Sequence, residues 1–249
     1  MDQGGVEEEE GRDLIGDGTP DSENITLTPM PESVAFPDAS IDDWTYQGGT
    51  FNYATSNYEF GVQTPDADAL MCANSAKGQH VHLIIDNEPY IAQYEPTFDQ
   101  TMSGGEHYLL TFLSRSYHES IKTPAAHRAV KVNVLNAGFT NPEEITDPML
   151  FYSRPKGTYV GNKETENVML DFYPVNAPLG EQYQVRVNIN GEEFTVDEWK
   201  PYYIQGLPMG ESTVTLTLMA GDSIVDAPLN PTRRTFTLEA LPAEQAQGK

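Results

Sequence analysis

The chain has 249 residues, with 38 Asp and Glu against 14 Lys and Arg, for a formal net charge of −24. That balance argues against nucleic acid or an anionic membrane surface as a partner, because phosphate binding needs a density of Lys and Arg. The single cysteine excludes an intrachain disulfide and any multi-cysteine zinc site, so a metal site must rest mainly on histidine and carboxylate.

Residues 1–45 hold 13 acidic residues and one Arg, which is half of the net charge in under a fifth of the chain. Residues 1–30 are Gly, Glu, Asp, Ser, Thr and Pro with few apolar side chains, too little to offset the entropy of ordering, and read as a disordered acidic tether. The opening MDQGGVEEEEGRD carries no signal-peptide pattern and reads as a mature form whose leader has been replaced by an initiator Met. No apolar run approaches the ~20 residues a membrane-spanning helix needs.

From residue 31 the sequence becomes short β-rich runs broken by Gly, Pro, Asn and Asp, with no long helical period. Strands are expected at 33–36, 50–56, 80–86, 97–102, 107–114 and 128–135, and again at 148–154, 168–175, 185–189, 193–204, 212–219 and 234–241. An internal repeat links the two sets. FNYATSNYEFG from Phe51 matches LDFYPVNAPLG from Leu170 at an offset of 119, and VHLIID from Val81 matches VRVNIN from Val185 at 104. Tyr94-Glu-Pro-Thr-Phe and Trp199-Lys-Pro-Tyr-Tyr follow at 105, as do Gly105-Glu106 and Gly210-Glu211. The expected fold is all-β: two tandem immunoglobulin-like β-sandwiches, residues 31–136 and 147–242, after the tether at 1–30. The polar stretch 136–146 reads as the linker. The drop in offset puts about 15 extra residues in the first copy, within 63–79, just before His80.

All five histidines fall in the first copy; opposite His80, His82 and His107 the second copy has Gln184, Arg186 and Ser212. Two residues apart on a strand, His80 and His82 share one face and can reach one ion. Antiparallel pairing of 80–86 with 107–114 brings them near Arg115, Tyr117 and His118, with His127 entering the next strand from the same end. It sends His107 to the opposite end, near Asp86. The inserted loop, with Met71 and Cys72, opens beside the histidines. Two readings follow. His80, His82, Arg115, Tyr117, His118 and His127 could recognise a group on a partner. Alternatively, His80, His82, His118 and His127 with Met71 and Cys72 could hold copper or zinc, since imidazole and sulfur suit those ions. Copper-zinc superoxide dismutases have a similar His-Val-His on a sandwich strand, but their further zinc loop has no counterpart here. The sequence has no phosphate-cradling glycine loop, no nucleophile elbow and no carboxylate pair at glycosidase spacing, so the expected function is non-enzymatic.

At KGQHVHLIIDNEPY (77–90), GEHYLLTFLSRSYHES (105–120) and MLFYSRPKGTYVG (149–161) the chain resembles a group of bacterial, Bacteroidota-like cell-envelope lipoproteins. That resemblance implies tandem immunoglobulin-like domains, an extracytoplasmic place in the periplasm or on the cell surface, and membrane contact only through an N-terminal lipid anchor. The expected role is a binding or accessory protein that needs no cofactor and presents its loops to an envelope protein. Copper or zinc is the alternative ligand.

Overall fold

Runs rich in Val, Ile, Thr, Tyr and Phe favour extended backbone, and many of the runs here stop at Gly, Pro, Asn or Asp. The computed structural model describes residues 24–242. In chain order the first strands are β1 (Thr26–Pro29), β2 (Ser40–Gln47), β3 (Thr50–Ser56), β4 (His80–Ile85), β5 (Ile91–Gln93) and β6 (Thr97–Asp99). Next come β7 (Gly105–Ser114), β8 (His127–Leu135), β9 (Gly138–Glu144), β10 (Met149–Arg154), β11 (Gly157–Val160) and β12 (Val168–Val175). The last are β13 (Tyr183–Ile189), β14 (Glu192–Val196), β15 (Tyr202–Gln205), β16 (Gly210–Ala220), β17 (Ser223–Ile224) and β18 (Thr232–Glu239).

In the first sandwich the sheet β2-β3-β6 faces the sheet β5-β4-β7-β8-β9. In the second, β1-β15-β12-β10 faces β11-β18-β16-β13-β14, with β17 added on β16. β2, β3, β4, β5, β6, β7 and β8 occupy the places that β10, β12, β13, β14, β15, β16 and β18 occupy in the second copy. The chain is therefore all-β, with two tandem immunoglobulin-like sandwiches. Asn136-Ala137 and Asn190-Gly191 have positive φ at both positions and close two-residue hairpins, β8–β9 and β13–β14, whose twist that turn matches.

The structure departs from the sequence reading at several places. Residues 26–29, assigned to a disordered tether, form β1 and pair antiparallel with β15, Leu27 opposite Ile204. Residues 1–23 of that tether lie outside the described residues. Residues 138–144 of the expected linker form β9, paired with β8. No strand forms at 33–36; the first core strand is instead β2, whose Asp42-Asp43 pair disguised it and sits where the β2–β3 register shifts. The run 193–204 divides into β14 and β15 on different sheets.

Three apolar layers hold four sheets in a stack. Tyr46, Phe51, Val81, Leu83, Leu109 and Val132 fill the first sandwich. Leu150, Phe172, Val187, Ile204, Leu216 and Phe236 fill the second. Between the sandwiches, Ile84, Tyr90, Leu110 and Phe112 pack against Met149, Phe151, Tyr173 and Val175. β4, β7, β10 and β12 are thus covered on both faces, which explains why HVHLII, LLTFL and MLFY are continuous apolar runs while YQVRVNI alternates. The docking uses different sheets of the two copies: β4 and β7 from the first, β10 and β12 from the second. An ion pair to a buried carboxylate fixes one end of the contact. Lys122 Nζ lies 2.7 Å from Asp171 Oδ1, and Ser120 donates to the same carboxylate from its backbone N–H at 3.1 Å and its hydroxyl at 3.2 Å.

Candidate functional site

β4 begins at the seam between the sandwiches, so its alternating side chains divide between two layers. Val81 and Leu83 enter the core of the first sandwich, while His80, His82 and Ile84 face the second copy. His80 stands opposite Ser114, the last residue of β7, and the chain then turns through Ser116, Tyr117 and His118. His118 has φ of 71°, a left-handed conformation uncommon for a residue with a Cβ. The turn is held because Ser116 and Thr64 exchange hydrogen bonds, backbone N–H to Thr64 Oγ1 at 2.8 Å and Thr64 N–H to Ser116 Oγ at 3.2 Å. The inserted loop therefore clamps the segment that carries His118.

Three ring nitrogens converge. His80 Nε2 is 2.8 Å from His82 Nε2 and 2.9 Å from His118 Nδ1, and one nitrogen from each ring lies within 4.8 Å of the others. His80 Nδ1 is 2.8 Å from the carbonyl of Gly78, which can only accept, so a neutral His80 carries its proton there and turns the lone pair of Nε2 inward. That lone pair accepts one proton well. If His82 donates it, His118 Nδ1 faces an occupied lone pair at 2.9 Å, and the Tyr90 hydroxyl, 3.3 Å away, is its remaining donor. His82 Nδ1 is buried with no partner in either tautomer. Proton placement alone leaves the group frustrated, whereas a cation between the rings would satisfy all three inward lone pairs.

The rings are held uncharged. Burial pushes the His80 imidazole down to about 4, with the charges of Arg154 and Lys156 adding to the effect. Burial likewise holds His82 and His118 well below the ordinary histidine range, helped by the neighbouring histidines and Arg154. Neutral imidazole is the form that binds metal. Aromatic rings fix the orientation: Tyr90 stacks on His82 at 3.7 Å between centroids and 8° between planes, and Tyr94 lies 4.8 Å from His80.

The other residues singled out in the sequence are placed elsewhere. His127 lies on β8 opposite Phe112, and His82 lies on β4 opposite the same Phe112, so all of β7 separates them, about 10 Å at the usual strand spacing. It rests against Tyr173 instead. Cys72 is buried with Met30, Leu70, Tyr117 and Met169, apart from the three converging histidines, and burial raises its thiol to about 11. Met71 is exposed. Arg115 is tied to the carbonyls of Val34 and Ser120 and to Glu119, and the Tyr117 hydroxyl donates to Asp66 at 3.3 Å. His107 pairs with Asp86 at 2.6 Å, at the far end of the sheet. Tyr90 and Lys156 were not among the sequence candidates, and Arg154, in YSRPKG, reads from the sequence as a strand-end charge rather than a phosphate ligand.

Gly78 positions the cluster. Its φ is +85°, and a Cβ there would meet the Val62 carbonyl oxygen at 2.5 Å and the Gly61 carbonyl carbon at 2.6 Å. Gly78→Ala is expected to cost about 1–3 kcal/mol and to displace the carbonyl that orients His80. Urea unfolding checks this, and an unchanged midpoint would remove the constraint.

Fold and site together define a tandem immunoglobulin-like protein with a buried three-histidine cluster at the seam between its sandwiches. No family model and no curated protein matches the chain. Solved structures with similar folds include fibronectin(III)-like modules of Clostridium thermocellum CbhA, at 14% identity over 38% of this chain and 100% of that one, TM-score 0.30. Another is the central fibronectin-III array of RIM-binding protein, at 12% identity over 86% and 71%, TM-score 0.28. A third is the Bacteroides ovatus mixed-linkage glucan utilization locus protein SGBP-B in complex with a mixed-linkage heptasaccharide, at 11% identity over 91% and 70%, TM-score 0.21.

Proposed function

We propose that the chain is a non-enzymatic, extracytoplasmic binding protein whose ligand is a transition-metal ion, copper or zinc. The observation that carries this is the convergence of His80 Nε2, His82 Nε2 and His118 Nδ1, on rings that burial holds neutral. Three imidazoles suit copper and zinc better than calcium or magnesium, which take oxygen ligands. His80 supports the reading further through its Nδ1–H to the Gly78 carbonyl, the kind of outer contact that fixes a ligating histidine. Arg115 and Tyr117, named for a partner, are engaged internally, which leaves the histidines as the chemistry of this loop end. The envelope location and lipid anchor enter through the sequence resemblance, and fractionation of the native protein tests them.

Titration calorimetry with copper and with zinc tests the site. The wild type is expected to bind one ion, and His80→Ala to weaken it by about 100-fold or more. His118→Asn should weaken it too, since Asn tolerates the left-handed backbone that His118 adopts. No binding by the wild type, or equal binding by well-folded His80→Ala, ends the proposal.

A further inference from the structure

We propose that Arg154 and Lys156 form a binding site for a small free oxyanion, a phosphate, sulfate or carboxylate, beside the histidine cluster. In a chain of net charge −24, neither residue has a carboxylate within 4.0 Å among the described residues. Arg154 is buried, and its Nε and Nη2 both point to one oxygen, the Tyr159 hydroxyl, at 3.3 and 3.1 Å. Its Nη1 is buried with no partner at all. A guanidinium has five N–H donors, and leaving a buried one unmet is costly.

The deficit is particular to Arg154. Arg234, also buried, donates to the carbonyls of Asn87, Tyr152 and Ser153. Lys156 is half-buried, donates to the Tyr90 carbonyl at 2.7 Å and sits 3.9 Å over the Tyr90 ring, with two N–H donors left over. Its backbone N–H reaches the same Tyr159 hydroxyl that the Arg154 guanidinium holds, so Tyr159 ties the two residues together. Burial first, and then the charges of Arg154 and Arg234, push the Lys156 ammonium down to about 8. Guanidinium and ammonium together prefer an oxyanion. The burial of Arg154 restricts the ligand to a small one, and the half-exposed Lys156 gives it a way in. The site does not require the metal. Where both bind, the anion offsets the two positive charges that oppose a cation at the histidines, so each favours the other.

Thermal unfolding of chelator-treated, metal-free protein in sodium phosphate or acetate, against sodium chloride at equal ionic strength, tests the site. At about ten times Kd the oxyanion is expected to raise Tm by about 3–6 °C over chloride. Lys156→Met and Arg154→Met should abolish the rise, and His118→Asn should keep it. A rise with either oxyanion supports the site. No rise over chloride, or a rise that Lys156→Met retains, overturns it; Lys156→Met decides if Arg154→Met does not fold. Loss of metal binding in His118→Asn with the rise intact separates this site from the metal site.

Discussion

Metal-free protein is expected to lose stability steeply as pH falls from about 6.5 toward 4, through its buried histidines. The folded-state proton affinities of His80, His82 and His118 are all depressed, first by burial, while the unfolded chain protonates its histidines near the ordinary value of about 6.5. Above that value both states are neutral and the groups contribute nothing to the pH dependence. Below it the unfolded chain binds protons that the folded chain refuses, so stability falls with acidification until the folded histidines titrate. Each depressed histidine adds a slope of up to about 1.4 kcal/mol per pH unit. For His80, pushed down to about 4, the window from 6.5 to 4 amounts to about 3 kcal/mol. Urea midpoints measured across this range on wild type and His82→Gln check the claim. An equal slope in the variant would show that the buried cluster is not its source. The same depression leaves the nitrogens free for a metal at pH values where an ordinary histidine site competes with protons, so added zinc or copper should flatten the acid limb.

Phe151→Ala is expected to cost about 3–5 kcal/mol and to destabilise both sandwiches together. Phe151 is fully buried in the layer between them, against residues of β4, β7 and β12. If one sandwich unfolded alone, the other would expose Ile84, Leu110 and Phe112, or Met149, Phe151 and Tyr173, to water. The wild type should therefore unfold in a single transition. Each sandwich carries one of the two tryptophans: Trp44 on β2, and Trp199, whose indole N–H donates to the Phe172 carbonyl at 2.8 Å. Trp44→Phe and Trp199→Phe variants leave one reporter apiece. Coincident urea curves are expected; separated midpoints would show that the seam contributes little.

The strand alternation of His80 and His82, the approach of His118 and the departure of His107 toward Asp86 were all legible, because they follow from period two and one antiparallel pairing. His127 misled because a loop can return a residue to the same end of a sheet while a whole strand still stands between. Cys72 misled because an inserted loop has no period from which to read its packing; the Thr64–Ser116 clamp turns it toward Tyr117 and Met169. The continuous apolar runs of β4 and β10 reflect burial on both faces, and the alternation in β13 burial on one; what covers the second face is a tertiary matter.

The sequence by itself determined the all-β class, the two copies of one sandwich and the same-face histidine pair, because strand period and internal repeats are local properties. Tertiary structure alone decided that β1 joins the second sandwich, with Leu27 opposite Ile204, and that the copies dock through different sheets. It also placed Lys156 of the second copy over Tyr90, the ring stacked on His82 of the first, with Arg154 near enough for its charge to act on the histidines. Those are contacts between residues far apart in the chain, and shape and burial across an interface select them rather than any pattern within one segment.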